Sequence, residues 1–333
     1  MTVTYAGRFV VAAIASAALL AGCSDGSPGG IPQGAVQQLV TNSRSIAAVA
    51  SGDVVLAKTG SWIYLAQFYD HDLGVYHRVG LALTYKESLT KGVSGPLGTV
   101  TTVNGWWYVA NSGRANVLVY RSTKNGPVGP QDSLDDYGQL PVNVDVTPSR
   151  RLVAVSNGST ASGGAGSVSV YLDRQVEPSR TLTYGSDLLQ GEGVAIDHRG
   201  NCYWSFNDGQ HGGSIVEFVG CTGTGSVVVS SIASAGGIAF DQRDDLFYVD
   251  QTNGVFKCKK GTTKCGNLVP VGPSGLGLPT NINFDYKSKY LWVADATGYI
   301  DAVDPQDGSI KLTLPTVGGP SDPPFGIAPS PGS

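Results

Sequence analysis

Only 14% of the 333 residues are charged, against about 25% in an average domain, and the 46 glycines are about twice the usual share. A long helical or coiled-coil protein is excluded, while 41% apolar residues can fill a core that a disordered chain could not form. A net charge of -4 with only 22 Lys and Arg leaves no basic surface to gather nucleic acid.

The chain opens on an address. Residues 1–22 read as a signal peptide: Arg8 supplies the positive end, and Phe9–Gly22 is an apolar run too short to span a bilayer. That run ends in Leu20-Ala21-Gly22-Cys23, which resembles the lipobox of bacterial lipoproteins. The resemblance implies cleavage before Cys23 and lipidation of Cys23, and several acyl chains anchor a protein durably. Ser24 after the Cys implies the outer membrane or cell surface. Residues 23–50 are then the lipidated Cys and a tether rich in Gly, Pro and Ser, and residues 51–333 the folded module.

A unit recurs through that module: an apolar strand, a polar turn, a more aromatic strand, then Asn, Asp or Gln. The closing residues are Gln67, Asn111, Asn157, Asn207, Gln251 and Asp295, spaced 44 to 50 apart. A third strand follows in GVYHRV, NVLVYRS and GSVSVYL, and a weaker fourth in SRTLTY, GSVVVSSI and SIKLTL. Short blocks of β-branched and aromatic residues at a period near 44 predict propeller blades rather than a helical solenoid. The fold expected is all-β: a six-bladed β-propeller with four-stranded antiparallel blades. Pro324–Ser330 reads as a further first strand that would close the ring, yet Val54–Lys58 also supplies an inner strand for blade one, and a degenerate seventh blade stays open. The segments GVAID, GIAFD, NINFD and YLWVAD resemble NHL-like six-bladed propellers, a likeness that implies the fold and no particular activity.

Apart from Cys23 there are four cysteines, an even set in an exported chain. Three pairings are possible. Cys202 with Cys221 and Cys258 with Cys265 are favoured, the second pair bracketing the turn KKGTTK so that its thiols face across a hairpin. Zinc lacks a CxxC pair or a nearby His at ligand spacing.

Inner strands line a propeller channel, so positions that break their repeat are the informative ones. Where blades four and five carry Gly193 and Ala195, and Gly237 and Ala239, blade three has Asn143 and Asp145 and blade six has Asn281 and Asn283. Alternation puts each pair on one side of its strand, and blades three and six stand opposite in a six-fold ring. Glu192 adds a carboxylate before the blade-four strand. The expected site is a polar ligand or divalent cation held by Asn143, Asp145, Glu192, Asn281 and Asn283; the plainer alternative is amides packed around channel water.

The six closing Asn, Asp and Gln residues, and Asp197, Asp241 and Asp285 before the next turns, read as turn-formers. Trp62, Trp106 and Trp107 read as blade-to-blade core. Glu192-Gly193 resembles the Glu-Gly element of the gluconolactonase and regucalcin family, which implies a central divalent metal. No matching Asn-Gly or Asp-Gly stands at the other inner strands, so a full oxygen cage is not evident. Virginiamycin-lyase-like propellers imply a catalytic His beside a metal, whereas His71, His77, His198 and His211 form no paired motif. Asp70-His71-Asp72 is an acidic spot with no fourth ligand in view. The only GxSxG straddles Cys23 with no strand before it, and Walker A and Rossmann fingerprints are missing. The sequence points to a lipid-anchored extracytoplasmic binding or assembly module of the cell envelope, with membrane and an envelope protein or glycan as partners and no cofactor required. The alternative is a metal-assisted, lactonase-like hydrolase or lyase acting in the channel.

Overall fold

A computed structural model describes residues 61–331, apart from 186–188, 210–211, 263–264, 274 and 286–287. The signal segment, Cys23, the tether, Val54–Lys58 and His211 lie outside the described residues. Within them every sheet is a four-stranded antiparallel blade, and there are six.

Blade one holds β1 (Trp62–Gln67), β2 (Asp72–Val79) and β3 (Ala82–Leu89). Blade two holds β4 (Pro96–Thr101), β5 (Trp106–Asn111), β6 (Asn116–Thr123) and β7 (Gly126–Asp135); blade three holds β8 (Gln139–Val146), β9 (Leu152–Thr160), β10 (Ser167–Leu172) and β11 (Arg180–Leu182). Blade four runs through β12 (Gln190–Ile196), β13 (Cys202–Asn207), β14 (Gly213–Phe218) and β15 (Ser226–Ile232). Blade five has β16 (Ala235–Phe240), β17 (Leu246–Asp250), β18 (Gly254–Cys258) and β19 (Cys265–Pro270), and blade six β20 (Pro279–Phe284), β21 (Leu291–Asp295), β22 (Tyr299–Val303) and β23 (Ile310–Pro315). The last strand, β24 (Pro324–Pro329), returns to pair antiparallel with β1 as the inner strand of blade one. The inner place that Val54–Lys58 might have taken belongs to β24, because Ile327 and Ala328 supply buried apolar partners there. Each inner strand lies against the next, and β20 against β24 completes the ring. A closed ring leaves the outer strands of the blades, such as β3 and β7, as the sheet edges.

The core is six separate layers, one between each pair of blades. Alternation explains this: in β5, Trp107 and Val109 pack with Tyr64 and Val75 of blade one, while Tyr108 turns the other way onto Val144 and Val155 of blade three. The second strand of a blade is thus buried on both faces, which is why these segments read as continuous apolar and aromatic runs. Trp107 stacks on Tyr64 with ring centroids 4.1 Å apart. Trp62 and Trp107 are core as the sequence suggests, and Trp106 packs against the layer between blades two and three but, as the first residue of β5, is only half-buried.

Glycine on the inner strands serves blade contact. A Cβ on Gly98 would meet the Cα of Asn143 at 2.6 Å, and one on Gly237 the Cα of Asn281 at 2.9 Å. The Gly of one blade therefore makes room for the Asn of the next.

The residues that close the second strands bind the chain between blades. Asn111 Oδ1 accepts the Ser94 N–H, Asn207 Oδ1 the Ala235 N–H, and Asp295 the N–H groups of Gly277 and Leu278. In blade five this role falls to Asp250 rather than Gln251: Asp250 ends β17, opposite Ala235, and accepts the Ala233 N–H. Asp197 and Asp241 accept N–H groups two and four residues ahead, as turn-formers do, and Asp285 accepts that of Tyr290. Both disulfides form, Cys202–Cys221 across blade four and Cys258–Cys265 across the β18–β19 hairpin.

Candidate functional site

The inner strands run into their turns around a cavity of about 550 Å³. Four of the five residues singled out by the repeat line it together: Asn143 and Asp145 from β8, Asn281 and Asn283 from β20. Aliphatic residues alternate with them along the same wall, among them Val144, Val194, Ile238 and Ile282. Glu192 is not part of that wall. It stands near the start of β12, beside the bulge between Gly191 and Gly193, and accepts the Asn207 side-chain amide at 3.0 Å. Burial pushes its carboxyl up to about 8.

Most polar atoms of the cavity are already engaged by the scaffold. Asp145 accepts its neighbour Val146 N–H at 2.8 Å with one oxygen and the Ile196 N–H of the next blade at 2.7 Å with the other. Burial still raises it to about 6, the two N–H groups opposing that shift. Asn143 Oδ1 accepts the Val144 N–H, and Asn283 accepts from Phe284 and donates to the Thr99 carbonyl of blade two. Asn281 differs. It is 5% exposed, lines the cavity, and its amide makes no hydrogen bond to the protein among the described residues. A buried amide left open on a cavity is a group ready for a ligand's hydroxyl or carbonyl.

The same wall carries two exposed side chains, His198 and Arg199. The His198 Nδ1 contacts Asp244, a buried carboxylate that also takes Lys260 Nζ at 2.6 Å. Hydrogen bonds from Lys260 and His198 outweigh desolvation and hold Asp244 down at about 2. The sequence placed His198 in a turn but carried no sign of Asp244 as its partner, because the two are joined only by the packing of blade four on blade five. His71 Nδ1 accepts the Gly95 N–H at 2.8 Å, and the His77 ring packs edge-on against Trp62, so neither is directed at the cavity. Among the described residues no three His, Cys, Asp or Glu side chains are grouped so as to hold a metal ion, Asp70-His71-Asp72 included.

No family model matches the chain, and no curated protein matches it in sequence. Among solved structures, a chain of Kuenenia stuttgartiensis hydrazine synthase is similar in fold with a TM-score of 0.56 at 12% identity, over 85% of this chain and 92% of that one. That identity speaks for the propeller fold alone.

Proposed function

We propose that this chain is a lipid-anchored, extracytoplasmic β-propeller of NHL-like type that serves as a binding or assembly module of a bacterial cell envelope, taking an envelope protein or glycan at the channel mouth. The observation that carries the reading is the cavity itself: an open Asn281 amide among aliphatic residues, with both lining carboxylates engaged, Asp145 by backbone N–H groups on both oxygens and Asp197 by its own turn through Arg199 and Asn201. Such a wall suits recognition better than acid–base or nucleophilic work. Two disulfides support an oxidising compartment, and the Leu20–Cys23 motif supports the anchor.

The test is capture from envelope extracts with a form beginning at Ser24 and its Asn281→Ala variant. One envelope protein or glycan retained with and without chelator, and released by Asn281→Ala, is the expected result. The second reading, a metal-assisted hydrolase or lyase, is favoured by Glu192, whose carboxyl near 8 can hold and release a proton around neutral pH. If the protein binds one divalent cation, loses it on substitution of Asn143 or Glu192 and opens lactones, that reading replaces the first. Anchoring predicts that Cys23→Ala moves the protein out of salt-washed membranes.

A further inference from the structure

Trp106 begins β5 on the rim where the first-to-second-strand turns emerge, and two guanidinium groups converge on it. The Cζ of Arg150, from the blade-three turn, lies 3.6 Å from the ring centroid, and that of Arg121, opposite Trp106 in β6, lies 4.9 Å away. Stacking on an indole attracts a cation, so one arginine on Trp106 needs no further reason. Two do, because they repel each other: burial and the charge of Arg150 together push the pKa of Arg121 below its usual value.

Neither guanidinium forms an ion pair with any described carboxylate. Arg150 Nε donates to the Tyr108 hydroxyl at 2.7 Å, which fixes the fork, and its other guanidinium N–H groups and all of those of the Arg121 guanidinium have no protein acceptor among the described residues. Asp132, whose carboxyl feels the charge of Arg150, accepts the Ser133 N–H and stays outside ion-pair distance, while Arg174 adds a further positive charge near Tyr108. Both arginines are half-buried, so their open donors are partly withdrawn from water with nothing supplied in return. Arg150 is also held in the left-handed region, with φ of 60°, a cost the turn bears to bring its side chain onto blade two.

We propose that Arg121 and Arg150, clamped on Trp106 between blades two and three, form a binding site for a tetrahedral oxyanion of the phosphate or sulfate type. Two planar forks on one ring carry more donors than one flat carboxylate accepts, and a tetrahedral anion can take bonds from both. The site is local, one anion between two side chains, and is compatible with the acidic balance of the whole chain.

The test is calorimetric titration of the full-length chain with inorganic phosphate, inorganic sulfate and glycerophosphoglycerol, each against sodium chloride at equal ionic strength. Saturable one-to-one binding is expected, weakened at least tenfold in both Arg121→Gln and Arg150→Gln and unchanged in the control Lys86→Gln on exposed β3. Tighter binding of glycerophosphoglycerol identifies a lipid headgroup as the source, and tighter binding of the inorganic ions a free anion. Heats equal to those of chloride, or variants that bind as the parent does, overturn the proposal. Should Arg150→Gln fail to fold, Arg121→Gln decides, since Arg121 makes no side-chain hydrogen bond whose loss could unfold the blade.

Discussion

Replacing Gly326 with Ala probes the ring at its closure. Gly326 sits in β24, the last strand to be placed, and a Cβ there would stand 2.0 Å from the Leu97 carbonyl oxygen and 3.0 Å from the Gly98 Cα. Non-bonded heavy atoms pack at about 3.5 Å, so β24 and β4 must part by about 1.5 Å at that point. The obstacle is backbone on both sides, and pairing with β1 holds β24 in place. Overpacking of this kind costs about 1–3 kcal/mol, and with no side chain able to swing aside the upper end applies. At about 2–4 °C per kcal/mol for a protein of this size, thermal denaturation of Gly326→Ala should show a midpoint lower by roughly 6–12 °C. Gly266→Ala is the matched control: this strand glycine of β19 has open space where the methyl would go, and the loss of unfolded-state freedom should raise stability by about 0.4–1 kcal/mol. A Gly326→Ala midpoint within about 2 °C of the parent, or equal shifts in the two variants, would refute the argument that inner-strand glycines exist for blade approach.

Two further outcomes follow from the same structure. Loop-entropy arithmetic gives about 3 kcal/mol for Cys202–Cys221 and about 2 kcal/mol for Cys258–Cys265, so denaturant midpoints should fall further for the Cys202→Ser, Cys221→Ser pair than for the Cys258→Ser, Cys265→Ser pair; the reverse order would count against the entropic account. Burial pushes Asp301 up to about 7, well above its unfolded value near 3.9. The fold therefore binds this proton more tightly than the unfolded chain, and the contribution is full below about pH 4 and lost as pH rises to about 7. Asp301→Asn should be more stable than the parent at pH 8, by of order 2–4 kcal/mol, and nearly equal at pH 4; no gain at pH 8 would show that Asp301 is not held neutral.

The blades were legible because each one is written locally. Second strands such as Trp106–Asn111 and Leu291–Asp295 are buried on both faces, and that burial leaves an unbroken apolar record in the chain. The sequence read Asn111, Asn207 and Asp295 as turn-formers; Asp295 does bond the Thr297 N–H two residues on, but Asn111 and Asn207 reach distant chain at Ser94 and Ala235, which no local pattern records. The strand ends slipped in blade five, where Asp250 and Gln251 stand side by side, and in blade three, where β9 runs on past Asn157. Closure was ambiguous because the pairing of Ile63 with Pro329 spans nearly the whole chain, and no local pattern distinguishes β24 from Val54–Lys58. Opposition of blades three and six brought Asn143, Asp145, Asn281 and Asn283 to one cavity, but the bulge before Gly193 sets Glu192 apart, and bulges leave little trace in composition. Adjacent tryptophans face opposite sides of β5, Trp107 toward blade one and Trp106 toward blade three, and only the place of Trp106 at the strand start leaves it half-buried, which composition does not show.

The lacing of β1 has a mechanical consequence. Ser330 and Trp62 exchange two hydrogen bonds of 2.8 Å at the point where the described chain begins, and from there β1 is bonded to β24 on one side and to β2 on the other. Tension applied at residue 61 along the axis of β1 loads both ladders in shear at once instead of opening them bond by bond. Force applied there is taken up first by the two ladders of blade one, and the cavity walls contributed by blades three to five belong to other sheets.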